Sequence, residues 1–210
     1  MVKQGPRAKT PPMNSLDRFA QEKLGKLEAR NLRRRLLQGD HAPGMVVARN
    51  GRTLIDFCSN DYLGLAHDPE VKAAARAALE QYGAGAHASR LVTGNYALLD
   101  DLEVKLARLK NTEAACVFGS GYLANLGIIP ALVAAPDAIF ADELSHSCIL
   151  AGTKLSGANA HLFRHNDMSD LARLLAEHRR GARHALILTD GVFSMDGDLA
   201  PLPEIIALAR

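Results

Sequence analysis

The feature that most constrains the fold is a regular alternation of helical stretches and short apolar runs from residue 69 onward. Helical periodicity predicts helices over residues 69–82, 96–110, 121–133, 146–155 and 168–180. The runs that favour strands lie between and after them: AACVF, AIFAD, AHLF and HALILTD. This alternation predicts βαβ units, and hence an α/β fold with a mainly parallel sheet and helices on both faces.

Two elements are predicted before this alternation. Residues 15–37 are rich in Leu, Ala, Glu and Arg, which predicts a surface helix capped by Asn14 or Ser15. An Asn50-Gly51 pair then stands between two β-branched runs. This dipeptide is typical of a type I′ turn, so a β-hairpin is predicted over residues 45–57.

These elements divide the chain into three expected parts. We expect a disordered arm over residues 1–14, a helix and hairpin segment over residues 15–60, and one larger domain over residues 61–210. The last residues, LPEIIALAR, open an amphipathic helix, and the strand that should complete its βαβ unit does not follow. The larger domain is therefore expected to be incomplete.

Composition excludes several classes of function. Among 210 residues, 25 are basic and 23 acidic, so the charge of +2 favours neither nucleic acid nor an anionic membrane as a partner. No stretch reaches the roughly 18 apolar residues that a membrane span needs. Three cysteines with apolar or small neighbours predict buried free thiols and a reducing cytoplasm, with no metal site: Cys58, Cys116 and Cys148.

A segment that could bind an anion is FGSGYLAN, residues 118–125. Its glycines and serine follow an apolar run and open a helix, so backbone N–H groups at Ser120, Gly121 and Tyr122 are placed to bind a phosphate. The ring of Tyr122 offers an aromatic face beside that position. The alternative is a plain tight turn between a strand and a helix, since Gly-Ser-Gly is common in loops.

Polar residues also follow the next two predicted strand ends, where ligand sites of α/β proteins gather. His146 starts a helix and is suited to stacking on a planar cofactor or to moving a proton; the alternative is a helix-start histidine satisfied by backbone groups. Ser194 lies in the loop TDGVFSMDGD as a further candidate ligand. In that loop Asp196-Gly197 reads first as a turn and Asp198 as a cap.

Two motif look-alikes are rejected. Residues 83–88, GAGAHA, fit a dinucleotide-binding pattern, but a helix precedes them where a strand is required, so no such site is inferred. The segment TKLSG, which contains Lys154, superficially resembles a segment that carries a cofactor-binding lysine. Lys154 falls about two turns after His146 on the same predicted helix, where a solvated position is expected, and we assign it no catalysis.

Taken together, six segments resemble the α-oxoamine synthases in order and spacing: DFCSNDYLGLAHDP, ASRLVTG, FGSGYLAN, DELSHS, FRHNDM and DGVFSMDGDLAPL. Members of this family are homodimers of the pyridoxal-phosphate (PLP) transferases of fold type I. They join an amino acid to an acyl thioester with loss of carbon dioxide. The resemblance implies the same fold, cofactor, substrate classes and homodimeric state here.

The resemblance also implies roles for individual residues. It places the cofactor phosphate near Gly121 and Tyr122, stacks His146 over the cofactor ring as a catalytic residue, and lets Ser194 hydrogen-bond the cofactor. Arg33 and Asn60 match substrate-binding positions. The family's aspartate that pairs with the ring nitrogen, its companion histidine and its cofactor-binding lysine find no match up to Arg210, so the chain alone is expected to be inactive.

Within the family, ASRLVTG and AHLFRHNDM favour a member that joins L-alanine to a pimeloyl thioester in biotin synthesis. Members that make 5-aminolevulinate, 2-amino-3-ketobutyrate or sphingoid bases are the alternatives. His87 stands where the family often has a small residue and is positioned to alter the acyl entrance. Asp190 replaces a more usual glutamate.

Two further hypotheses stay open on the sequence. The first is that the chain is a non-catalytic subunit that supports an active homologue, as in some sphingoid-base synthases. The second is that the chain is an α/β module that binds another phosphate ligand at the Gly-Ser-Gly segment.

Overall fold

The computed structural model describes residues 14–210, which form two compact units: one ends at Gly85 and the other runs from Ala86 to Arg210. The boundary predicted between residues 60 and 61 falls inside the first unit. The arm predicted over residues 1–14 lies outside the described residues, apart from Asn14. No helix in the described part is long and apolar enough to cross a bilayer.

The first unit opens with helix α1, Ser15–Ala29. Asn14 caps it, because its side chain accepts from the N–H of Asp17 while the Asp17 carboxylate accepts from the N–H of Asn14. The predicted end at residue 37 is wrong. Asn31 adopts a left-handed φ of 55°, and the N–H of Leu32 bonds back to the carbonyl of Leu27. This is a Schellman ending, which closes the helix in spite of the helix-forming residues that follow.

A small antiparallel sheet follows, in the order β1 (Asp40–Ala42), β2 (Val46–Arg49) and β3 (Arg52–Ile55). Asn50 and Gly51 both have positive φ, 50° and 71°, as a type I′ turn requires, so the hairpin prediction is confirmed. Strand β1, which was not predicted, pairs with β2.

Helix α2, Pro69–Tyr82, has the predicted bounds. The Asp68 side chain accepts from the first free N–H groups, Pro69 occupies the first turn, and Gly83 follows with a φ of 81°. Both ends thus carry residues that disfavour continuing the helix. A short 3₁₀ helix precedes it at Leu65–His67.

From residue 138 onward, the second unit alternates strands and helices as predicted. A parallel sheet forms its centre, in the order β5 (Asn159–Phe163), β4 (Ala138–Asp142) and β6 (Ala185–Leu188). A 3₁₀ turn at Arg179–Gly181 follows the helix before β6. The elements are α3 (Ala97–Lys110), α4 (Gly121–Leu132), β4 (Ala138–Asp142), α5 (Ser147–Ser156), β5 (Asn159–Phe163), α6 (Met168–His178), β6 (Ala185–Leu188) and α7 (Leu202–Ala209).

The strand predicted at AACVF, residues 114–118, is wrong, since this segment is irregular. Side chains satisfy its backbone instead of a neighbouring strand. The N–H of Val117 donates to the Glu103 carboxylate at 2.7 Å, and the Arg90 guanidinium donates to the Val117 carbonyl at 3.3 Å. Arg90 and Glu103 also form a salt bridge, so the segment is fastened to α3.

Strand β4 separates two hydrophobic cores. All five of its residues are buried, and because side chains alternate along a strand, neighbours face opposite sides. Ala138 and Phe140 pack in the core that α6 and α7 cover, with Leu171 and Ile205. The opposite core holds residues of α4, β4 and α5: Ile129, Val133, Ile139, Ala141, Cys148 and Ile149. The prediction of helices on both faces of the sheet is confirmed.

The amino end of β4 is fixed by Asp137, which is fully buried. Its carboxylate accepts from Nε and Nη2 of Arg183, at 3.1 and 3.0 Å, and from the N–H of His184 at 3.0 Å. These contacts, led by the Arg183 hydrogen bonds, hold the pKa of Asp137 well below its usual range. The start of β6 is therefore tied to the start of β4.

The prediction of three buried thiols is only partly right. All three cysteines are free, but Cys58 and Cys116 are exposed and Cys148 alone is buried. Cys58 lies in a bend after β3 and Cys116 in the irregular segment before α4. Apolar neighbours in the sequence did not bury either side chain, because neither residue belongs to a packed strand.

Candidate functional site

The start of α4 has the features of an anion site. The Ser120 hydroxyl accepts from the N–H of Leu123 at 3.2 Å and so caps the third free donor of the helix. The N–H groups of Gly121 and Tyr122 come earlier in the first turn, where no intrahelical acceptor exists. A Cβ added at Gly121 would meet nothing within 4 Å, so the space beside this residue is open.

Hydrogen bonds join the start of α4 to the start of α5. Asn125 Nδ2 donates to the Gly121 carbonyl at 3.1 Å and to Cys148 Sγ at 3.2 Å. The Cys148 sulfur in turn lies 2.8 Å from His146 Nδ1. Gly121 and His146, far apart in sequence, thus belong to one hydrogen-bonded chain of side chains.

The imidazole of His146 caps α5. Its Nδ1 accepts from the backbone N–H of Cys148 at 3.2 Å. Because an amide N–H can only donate, Nδ1 is the acceptor nitrogen, and in the neutral ring the proton is on Nε2. His146 is exposed, so this Nε2–H is presented on the outside of the unit.

The loop after β6 reaches the same region. The backbone N–H of His146 donates to Asp190 Oδ2 at 2.6 Å. Ser194 is exposed in this loop, between the buried Phe193 and Gly197, whose N–H donates to the Phe193 carbonyl at 2.7 Å. The structure therefore links the Gly121 end of α4, His146 and the loop of Ser194.

The two predicted substrate residues lie in the first unit. Arg33 follows α1, and its Nη1 donates to Glu28 Oε2 at 2.9 Å. That hydrogen bond lowers the pKa of the Glu28 carboxyl. Asn60 is exposed between β3 and the 3₁₀ helix. The roles of both residues stay predictions.

Three residues of the site were not predicted to act there: Asn125, Cys148 and Asp190. Each is joined to a predicted residue by a side-chain contact across 2 to 44 sequence positions. Asp190 carries one signal in the sequence, its place among the polar residues of the loop that follows a predicted strand. Lys154 is exposed on α5, as expected for a solvated side chain.

One buried polar atom in the described residues fits an added ligand. Ser145 stands directly before His146, is 5% exposed, and its hydroxyl has no hydrogen-bond partner in this part of the chain. A buried hydroxyl without a partner is costly, so a ligand group that bonds it would stabilise the site. Among residues 14–210, His, Cys, Asp and Glu form no group of three suited to a metal.

The second unit presents the free N–H groups of a helix start, an imidazole and a loop with an exposed hydroxyl. Together these features define a class of α/β proteins that bind a ligand with a phosphate group. Comparison with known proteins identifies the family within that class. The chain belongs to the aminotransferase class I and II family, which it matches over residues 52–210. Its fold is that of the PLP-dependent transferases of fold type I, as expected. A variant of serine palmitoyltransferase from S. paucimobilis, solved with a bound PLP–myriocin aldimine, is 31% identical, with a TM-score of 0.82, covering 94% of this chain and 50% of that one.

Particular relatives are named 8-amino-7-oxononanoate synthase. That of Methylorubrum extorquens is 64% identical over 198 residues, which is 94% of this chain and 52% of the relative. That of Beijerinckia indica is 58% identical, covering 92% of this chain and 50% of the relative. The chain thus spans about half the length of these curated relatives.

Proposed function

We propose that this chain contributes the PLP site of an acyltransferase that condenses L-alanine with a pimeloyl thioester, with loss of carbon dioxide, in biotin synthesis. The identities of 58% and 64% to synthases named for that product support this substrate pair. The observation that carries the proposal is the hydrogen-bonded chain from Gly121 through Asn125 and Cys148 to His146, with Asp190 bound to its far end.

The residues present fit the cofactor. The N–H groups of Gly121 and Tyr122 would hold its phosphate, because a helix N-terminus favours an anion. The exposed ring of His146 would stack on the cofactor ring, and the Ser194 hydroxyl would hydrogen-bond it. When bound, PLP supplies an electron sink for the negative charge left on the amino acid Cα.

The chain's own groups would handle the proton and the substrates. His146 Nε2 is the ring nitrogen directed away from the Cys148 cap, so it is the atom that would hold or move a proton near the substrate. Arg33 and Asn60 would bind substrate. In the complete enzyme we propose a cytoplasmic homodimer. Residues 1–210 alone would bind PLP without turnover, because the family's cofactor-binding lysine finds no match among them.

The test is a titration of PLP into residues 1–210, followed by absorbance and by quenching of tyrosine fluorescence. We expect saturable binding that weakens at least about tenfold in His146→Asn, since asparagine still caps a helix but cannot stack as an imidazole does. His184→Gln is the matched control and should bind like the unmodified chain. Unchanged affinity in His146→Asn would place the cofactor elsewhere.

The substrate pair is tested on the protein with all the sequence its gene encodes. Alanine and pimeloyl thioester should give product, and acyl thioesters of other lengths should give less. Binding of PLP without turnover of any amino acid would instead favour the non-catalytic subunit. Preference for another acyl chain would favour a different α-oxoamine synthase.

A further inference from the structure

Another histidine of the second unit, His165, lies two residues after the end of β5 and joins two carboxylates. Its Nδ1 is 3.0 Å from Asp142 Oδ1, at the end of β4, and its Nε2 is 2.7 Å from Asp198 Oδ2. The ring also meets the Phe193 ring edge-on, with 4.4 Å between centroids. One imidazole therefore connects the carboxyl end of β4 to the loop that carries Ser194.

The partners of His165 require it to be charged. A carboxylate only accepts hydrogen bonds, and a neutral imidazole has one N–H, so two carboxylates on its two nitrogens need the imidazolium. The hydrogen bond to Asp142 raises the pKa of His165, and the bond from His165 lowers that of Asp198. Asp142 is fully buried, and besides His165 it accepts from the backbone N–H groups of Leu144 and Asn166, each at 2.9 Å.

Other charged groups around His165 act in the same direction or face elsewhere. The Glu143 carboxylate accepts from the backbone N–H of His165 at 3.2 Å and adds negative charge. The adjacent Arg164 pairs with Asp167 and Asp170 at the start of α6. The neutral Asn166 reinforces the link, because its Nδ2 donates to Asp198 Oδ2 at 2.8 Å and its N–H to Asp142 Oδ2 at 2.9 Å.

We propose that protonated His165 is a positioning residue that fastens the loop of residues 190–199 to the end of β4. The loop is then held at both ends, by the His146 N–H at Asp190 and by His165 at Asp198. Ser194 lies between these two anchors, next to Phe193, whose ring packs on His165. His165 thus acts on the cofactor through Ser194, and this part of the inference rests on the proposed function.

The loop itself is tested without cofactor, by amide hydrogen exchange of Phe193 and Gly197, whose N–H groups donate to carbonyls within the loop. In Asp198→Asn we expect exchange at these two amides to accelerate at least about tenfold, while β4 amides keep their protection. This variant leaves the buried pair of Asp142 and His165 in place, so it folds even if His165→Gln does not. His184→Gln is the control and should exchange like the unmodified chain.

The pH dependence of loop exchange distinguishes a loop held by charged His165 from a loop held only by packing of the His165 ring. Loop protection should be full below the ordinary histidine pKa of 6.5 and fall as the pH rises through the raised pKa of folded His165. In Asp198→Asn that midpoint should move to lower pH, and in His165→Gln the transition should vanish. Loop exchange that is the same in all variants and pH values, after correction for intrinsic rates, would overturn the proposal.

The affinity for PLP is measured separately from amide exchange in the loop. If PLP binds, its affinity should fall at least about tenfold in Asp198→Asn, in parallel with loop protection. Loss of protection with unchanged affinity would overturn the role toward the cofactor. If PLP does not bind the unmodified chain, the proposed function fails, while the exchange data still decide whether His165 holds the loop.

Discussion

His146 and Asp190 are joined by a hydrogen bond of 2.6 Å from the backbone N–H of the first to Oδ2 of the second, across 44 sequence positions. The bond connects the first turn of α5 to the end of β6. It therefore holds the backbone at the start of α5, which carries the His146 side chain, against the loop that follows β6. A substitution of Asp190 should therefore change the affinity of the candidate cofactor site for PLP.

Replacing Asp190 tests this connection. Asp190→Ala should weaken PLP binding about tenfold, the equivalent of about 1.4 kcal/mol, because a hydrogen bond to a charged acceptor is lost. Asp190→Asn keeps an oxygen acceptor and should lose less. Isothermal titration of PLP into each variant measures both. Equal affinity of the alanine variant and the unmodified chain would show that this bond does not position the site.

Close packing of α4 on α5 gives a second prediction. A Cβ at Gly152 would lie 2.6 Å from the Asn125 carbonyl oxygen and 2.9 Å from Ile129 Cδ1. Gly152→Ala should therefore destabilise the second unit by about 1–3 kcal/mol, because a helix backbone must move. Urea unfolding of this variant measures the loss.

The matched control is Gly25→Ala in α1, where an added Cβ meets nothing within 4 Å. Alanine is the better helix former, so this variant should gain up to about 1 kcal/mol in the first unit. A loss of stability in Gly25→Ala, or none in Gly152→Ala, would contradict the packing described.

Thiol reactivity checks the placement of the cysteines. Cys58 and Cys116 are exposed, whereas Cys148 is 5% exposed behind the His146 cap. With a thiol reagent in excess, two cysteines should react quickly and the third only on unfolding. Cys148→Ser should keep both fast reactions and lose the slow one. A third fast thiol in the folded chain would show that the start of α5 opens readily.

Acid stability should depend on Glu103. Hydrogen bonds from Arg90 and from the N–H of Val117 lower its pKa from 4.5 to about 2. Since the folded pKa is below the unfolded one, this contribution is full above pH 4.5 and is lost as the pH falls toward 2. Urea unfolding between pH 6 and 3 should show a shallower loss of stability in Glu103→Gln than in the unmodified chain. Parallel pH profiles would show that the contacts around Val117 do not hold in solution.

Local signals were enough for the elements whose ends carry special residues. Asn50-Gly51 fixed the hairpin, and Asp68 with Pro69 fixed the start of α2, because each acts on its own backbone. The end of α1 was missed for the converse reason. Asn31 ends the helix by adopting a left-handed conformation, and an asparagine does so less regularly than a glycine.

Long-range contacts explain what the sequence did not predict. The composition of residues 114–118 predicts a strand. However, the side chains of Arg90 and Glu103 form the hydrogen bonds with the carbonyl and the N–H of Val117 that a neighbouring strand would otherwise form. The motif segments predict a site at Gly121, His146 and Ser194, and the roles of these residues stay predictions. The side chains that connect and support them, such as Asn125 and His165, lie within the same motifs, yet only coordinates show their partners.

The central strand β4 has a consequence for how the unit comes apart. Its alternate residues serve two cores, one with α4 and α5 and the other with α6 and α7. If either helical layer unfolds, one side of this strand loses its cover and its apolar surface is exposed to water. The second unit should accordingly unfold in a single cooperative transition, with both layers lost together.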